Sequence, residues 1–263
     1  MERSEMSNSA VTKVFQKNLR NSVTGILLIT NVFIFIVTII LQLNGIDLAN
    51  WGGLHFFLAK DFYVYQLVTY LFLHASLWHL FSNMVFLWLF GLVVEKSFGA
   101  RRFAIYYIVC GIIGGILQEA TRFWAFYNTI SEQDPTTTLG TVFEAGKQLA
   151  TDLNSWITIG SSSSVCAVVL AFGILFSHKQ VFSIKVKWII IAYVLLEILA
   201  FIVSFDNGAY AAQLGAMLCG FVILCFWKNK KESVADDDIM IDWAMKILLV
   251  VVGINIVYLF LDF

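Results

Sequence analysis

Charge is scarce in this sequence: 13% of its 263 residues are Asp, Glu, Lys or Arg, against about 25% in soluble domains. With 59% hydrophobic residues and a mean hydropathy of +0.81, such a chain cannot cover a folded surface with polar groups. Its solvent is lipid, and it reads as an all-α, multi-pass membrane protein. A net charge of −1 and the lack of a basic-aromatic patch argue against nucleic acid or another polyanion as partner. Proline is nearly missing, Pro135 standing alone, which suits long unbroken helices. The four cysteines, Cys110, Cys166, Cys219 and Cys225, lie in apolar segments without CxxC pairing. They read as packing residues rather than disulfides or metal ligands, and no cofactor is expected. The polar N-terminal stretch lacks a small-residue cleavage site before the first apolar run, so no cleaved signal peptide is read.

What is present is a series of apolar runs. Crossing a hydrocarbon core of about 30 Å takes about 20 helical residues. Six segments meet or approach that length, at about 23–43, 78–96, 101–118, 161–177, 188–205 and 208–227. A candidate seventh, at 243–261, carries Lys246 and Asn255. Basic residues set the expected orientation. They precede the first run (Arg3, Lys13, Lys17, Arg20), separate the second from the third (Lys96, Arg101, Arg102) and the fourth from the fifth (Lys179, Lys185, Lys187), and follow the sixth (Lys228, Lys230, Lys231). The alternate connections are poor in such residues, so the amino terminus is expected in the cytoplasm.

The expected organisation is therefore a cytoplasmic segment 1–22, a membrane domain 23–227, a cytoplasmic acidic linker 228–242 holding Asp236 to Asp238, and the seventh segment within 243–263. Two outer connections are long. Residues 44–77 are aromatic-rich, and the Tyr65–Ser76 portion is too short to span, which suggests an interfacial or re-entrant element. Residues 119–157 read as a polar insertion with one amphipathic helix around Leu139–Leu153.

Polar side chains at membrane depth are costly unless paired, so each is a candidate functional group. In HASLWHLFSN, His79 and Asn83 are four residues apart and share one helix face. That pair could donate to an oxyanion, or simply sit among headgroups at a helix end. In GSSSSVC, from Gly160 to Cys166, a serine could be a nucleophile or could cap the helix. In AAQLGAMLCG, from Ala211 to Gly220, small residues surround Gln213. Small-xxx-small spacing brings backbones close, so the fourth and sixth helices are expected in tight contact, with Gln213 near the serines or acting as interhelical glue. Glu197 is an acid within the fifth run, compatible with a hydrogen bond to a neighbouring helix. One acid does not make a transporter's relay.

Together these three clusters, in this order and at one depth, resemble the rhomboid family of intramembrane serine proteases over about residues 23–228. HASLWHLFSN resembles the family's His-x-x-x-Asn helix with its additional upstream histidine, here His74, and Gly91 with Glu95 to Gly99 and Arg101 looks like the exit from that helix. GSSSS stands where the family has Gly-x-Ser-Gly, and QLGAMLCG where it has His-x-x-Gly-x-x-x-Gly. The resemblance implies a six-helix bundle with Ser162 at the nucleophile position, Gln213 at the base position, and His79 and Asn83 with backbone N–H groups at the oxyanion. It also implies transmembrane protein substrates or clients as partners, beside the lipid bilayer, and leaves the oligomeric state open.

The departures gather at one contact. Gln213 replaces the histidine, Ser163 the glycine after the nucleophile, Cys166 the aromatic under the base, and Ala216 a glycine three residues on. Glutamine cannot take a proton near neutral pH, and losing a general base costs about 10²–10⁴-fold. Two functions follow: an inactive relative that binds transmembrane clients, which the substitutions favour, and an active serine endopeptidase with a non-standard base.

Overall fold

The computed structural model describes residues 22–134, 136–181, 183–203, 207–227 and residue 246. The expected acidic linker, the seventh segment (Lys246 apart) and the N-terminal segment before Ser22 lie outside the described residues. The described chain is an all-α bundle. Its helices are α1 (Val23–Leu43), α2 (Leu77–Phe98), α3 (Ala100–Gln133), α4 (Leu139–Gln148), α5 (Ser162–Leu175), α6 (Val186–Val203) and α7 (Asn207–Phe226). Five of them, all but α4 and α5, are long and apolar enough to cross a membrane.

In lipid, apolar side chains gain little by leaving one solvent for another of the same kind, so helices associate through close backbone approach and hydrogen bonds. α7 packs on both α3 and α5. The expected tight contact of the fourth and sixth membrane helices is there, but α3 takes part in it. A Cβ on Gly215 would collide with Leu117, and one on Gly220 with the Tyr106 hydroxyl. From the α3 side, a Cβ on Gly114 would lie 2.7 Å from the Ala212 carbonyl oxygen and 2.9 Å from Ser163 Cβ. Hydrogen bonds tie the same helices. Tyr106 Oη donates to Ala167 O at 2.8 Å, and Ser164 Oγ donates to Tyr107 O at 2.8 Å.

α1 starts where the chain supplies partners for its first N–H groups, which no helical carbonyl can satisfy. Ser22 Oγ accepts from Gly25 N at 2.9 Å, and the buried Glu95 carboxylate of α2 accepts from Val23 N at 2.7 Å and Thr24 N at 2.8 Å. A negative group at a helix N-terminus is also favoured by the helix dipole. α2 opens on a Ser76 cap, whose Oγ accepts from His79 N at 3.1 Å, and carries a π-helical turn at Leu87–Gly91. It turns into α3 at Gly99, whose φ of +80° suits a residue without Cβ.

α3 is longer than its apolar run suggested. It continues past residue 118 to Gln133, 34 residues in all, about 51 Å at ~1.5 Å per residue. The polar stretch after Gln118 stays helical with Glu119 and Arg122 paired and three of its aromatics packed. Arg122 pairs with Glu119 at 2.9 Å, and Phe123, Phe126 and Tyr127 join Phe56, Phe57 and Trp156 in a second core cluster. α4 follows behind a Thr138–Thr141 capping box. Residues 119–157 are thus half helix extension and half a short packed subassembly. The 65–76 portion holds a helical turn at Gln66–Thr69 and a 3-10 turn at Tyr70–Phe72, neither long enough to span.

One small feature carries the outer connection to the serine run. Strand β1 (Leu54–His55) pairs antiparallel with β2 (Ile157–Thr158), Leu54 opposite Thr158. Beyond β2, Gly160 N donates to Tyr70 O at 2.9 Å. The chain therefore reaches α5 held by two separate parts of the 44–77 connection.

Candidate active site

α5 has 14 residues, about 21 Å of helix against a hydrocarbon thickness of about 30 Å. A helix this short places one end inside the layer when the other reaches its surface. Ser162 begins it. Gly160, two residues earlier, has a φ of +129°, which a side chain would strain, and a Cβ there would lie 2.6 Å from His79 Cε1. Glycine thus lets the imidazole lie directly on the backbone that leads into the serines.

The four serines separate by what they touch. Ser161 is buried, its Oγ 3.3 Å from His74 Nε2. Ser163 is buried, its Oγ 3.2 Å from the Tyr70 hydroxyl, which itself donates to Gly111 O at 2.7 Å. Ser164 is buried and bonded to α3. Ser162 is half-buried and lines a cavity of about 370 Å³. Among the described residues Ser162 makes no side-chain hydrogen bond.

The same cavity is lined by His79, Asn83 and Gln213, so α2, α5 and α7 bring all four sequence-selected side chains together. Asn83 Nδ2 is buried without a hydrogen-bond partner, an uncommitted donor facing the serine that starts α5. Gln213 is half-buried, and its side chain makes no hydrogen bond among the described residues, so interhelical glue does not describe it. His74 stands behind His79, ring centroids 5.1 Å apart and nearly edge-on. Burial, and after it the neighbouring His79, push His74 down to about 4, so it is neutral near pH 7. Burial likewise pushes the Tyr70 phenol up to about 12, keeping it a hydroxyl.

Further side chains line the cavity that were not foreseen there, and three of them bear on its chemistry. Gln118 comes from α3, with Nε2 donating to Thr158 Oγ1 at 2.7 Å. Tyr193 and Glu197 come from α6. The Tyr193 hydroxyl lies 3.0 Å from Cys166 Sγ, so an aromatic from α6 reaches the place beside Cys166 that α5 itself leaves small. Glu197 faces the Tyr193 hydroxyl one turn earlier on its own helix, and its Oε2 is buried without a partner. The expected bond from Glu197 to a neighbouring helix is absent among the described residues. An acid within an apolar run was the available signal; its facing toward the serines was not.

A model of the rhomboid domain matches residues 61–229. Rhomboid-like protease 1 of Toxoplasma gondii is 26% identical over 234 residues, 86% of this chain and 69% of that protein. Rhomboid-like protease 3 of the same organism is 35% identical over 66 residues, 25% of each chain. The "Inactive RHOMBOID-like protein 8" of Arabidopsis thaliana is 34% identical over 70 residues, 26% of this chain and 20% of that one. Two of these three matches thus span a quarter or less of the relative's length.

Proposed function

The chain belongs to the rhomboid family, and from that premise we propose that it is a proteolytically inactive member that binds transmembrane clients in the cavity around Ser162. The observation carrying this reading is Gln213, which faces that cavity from α7. A serine hydroxyl becomes a nucleophile when a neighbouring group takes its proton, and an amide does not do so near neutral pH. His79 shares the cavity but lies packed on Gly160, and drafting it as base would remove an oxyanion donor. In this reading Ser162 and Gln213 mark where a client segment rests, with His79 and Asn83 offering donors to its backbone. The basic flanks favour a cytoplasmic amino terminus.

A second reading, an active intramembrane serine endopeptidase with a non-standard base, has one observation in its favour: the Glu197 carboxyl lines the same cavity as Ser162. One experiment separates the two. The purified chain and its Ser162→Ala variant are treated with a fluorophosphonate serine probe and, separately, with a model transmembrane substrate. The inactive reading expects neither labelling nor cleavage above the Ser162→Ala background, and equal crosslinking of a client segment by both proteins. Cleavage by the wild type that disappears in Ser162→Ala sinks it.

A further inference from the structure

Among the described residues, Glu197 is the one Asp, Glu, Lys or Arg that lines the cavity, and no described cation lines it beside Glu197. Its depth follows from the packing of α6 on α5. The two helices are joined through the β3–β4 hairpin (Gln180–Val181 with Ile184–Lys185). Cys166 meets Tyr193, and a Cβ on Gly173 would meet Ile190. As the number falls along α5 it rises along α6, so the helices run antiparallel. Ser162 lies four residues before Cys166, and Glu197 four residues after Tyr193. Both steps move about 6 Å in the same direction, which brings Glu197 to the depth of Ser162.

A buried acceptor without a partner costs free energy in low dielectric, and Glu197 Oε2 is such an atom. A lysine or arginine within a client's membrane segment carries a matching cost. Pairing the two relieves both at once, while a leucine at the same place relieves neither. The cavity, about 370 Å³, falls in the usual range for ligand sites, about 300–1,000 Å³. Two other atoms of the described lining are buried without a partner, Gln118 Oε1 from α3 and Asn83 Nδ2 from α2, and the second is a donor that suits a client carbonyl.

We propose that Glu197 is the specificity-determining residue of this cavity, selecting membrane segments that carry a lysine or arginine at the depth of Ser162. This rests on the client-binding reading above and names the class of client.

The test uses the full chain in nanodiscs and two fluorescent leucine-rich peptides of about 20 residues, one with a single lysine in its outer third and one with leucine there. Binding is followed by energy transfer from the peptide to a dye on the chain. The expected result is about tenfold tighter binding of the lysine peptide, the size of one good polar pair in a membrane. In Glu197→Gln, which keeps the shape, the ratio of the two affinities falls to within about twofold. Equal binding of both peptides by the wild type, or a lysine preference that survives Glu197→Gln, overturns the inference and leaves client binding standing. Failure of both peptides to bind a folded wild type overturns client binding itself. Cleavage of either peptide that is lost in both Glu197→Gln and Ser162→Ala also overturns the inference, because it makes the carboxyl a base.

Discussion

The two walls of the cavity differ in kind. On the wall built by α2 and the start of α5, Gly160, His79, Asn83 and Ser162 stand as an attacking hydroxyl and its oxyanion donors would require. On the wall built by α6 and α7, a glutamine stands at the base position, a tyrosine hydroxyl meets Cys166 of α5, and a carboxyl with one unpartnered oxygen faces inward. In the proposed reading, one wall keeps the means of holding a peptide backbone and the other lacks the means of moving a proton. If that reading holds, the difference teaches that binding and catalysis in this fold are carried by separate helices and can be lost separately.

The sharpest way to break the comparison is Gln213→His. If the α2–α5 wall is competent, restoring a base on α7 confers Ser162-dependent cleavage of a model transmembrane substrate. The gain should be at least about 10²-fold over the wild type, the low end of a general base's contribution. Cleavage is read by gel, with Ser162→Ala in the same background as the control. No gain from a folded variant would mean that Ser163 and Cys166 have disabled the first wall too.

A smaller effect probes the support behind that first wall. His74 is buried, with His79 and Ser161 against its ring, and its acidity is pushed from 6.5 to about 4. Between those values the unfolded chain binds a proton that the folded chain does not. Stability is therefore full above about pH 6.5 and falls as pH drops toward about 4. The loss from this residue is about 3 kcal/mol, at ~1.4 kcal/mol per pKa unit. Detergent-solubilised protein unfolded by heat or SDS across this range should show that slope, and His74→Gln should flatten it by that amount.

Much of the fold was legible because lipid imposes a length rule on each apolar run, and five of the six expected segments recur within a few residues at each end. The exception is α3, expected to stop near residue 118. Its extension to Gln133 depends on Phe123 and Phe126 meeting Phe56 and Trp156, contacts between distant parts of the chain that no local pattern encodes. The same limit divides the site. That His79, Asn83, Ser162 and Gln213 converge was what the family resemblance implied, a resemblance carried by their order and shared depth. Which face of α6 turns inward did not, since it is set by Tyr193 meeting Cys166 across two helices. Glu197 was visible as an odd acid, but its direction was not.

The spacing between the walls is set partly by α3, and Gly114 tests it. A methyl there would press on the Ala212 carbonyl and on Ser163 Cβ, at 2.7 and 2.9 Å. Ala212 is next to Gln213, and Ser163 next to Ser162, so the methyl pushes the walls apart near both positions. Gly114→Ala is expected to cost about 2 kcal/mol, within the usual range for overpacking, and to weaken client crosslinking as well. Thermal unfolding measures the first effect. If crosslinking is unchanged in a destabilised variant, the cavity does not depend on this spacing.

The smallest effect lies within a single wall and separates Ser162 from its neighbours. Ser164 Oγ donates to Tyr107 O at 2.8 Å in a buried contact between α5 and α3. Losing that bond by Ser164→Ala should cost about 1 kcal/mol, or somewhat less because the same loss inside a membrane averages ~0.6 kcal/mol. Ser162 has no such bond among the described residues and faces the cavity, so Ser162→Ala should leave stability within about 0.5 kcal/mol of the wild type. Parallel SDS titrations resolve the difference. A hydroxyl kept in place by structure would reverse the order of the two variants. The expected order would instead leave the Ser162 hydroxyl as the member of the serine run that the fold does not use for its own cohesion.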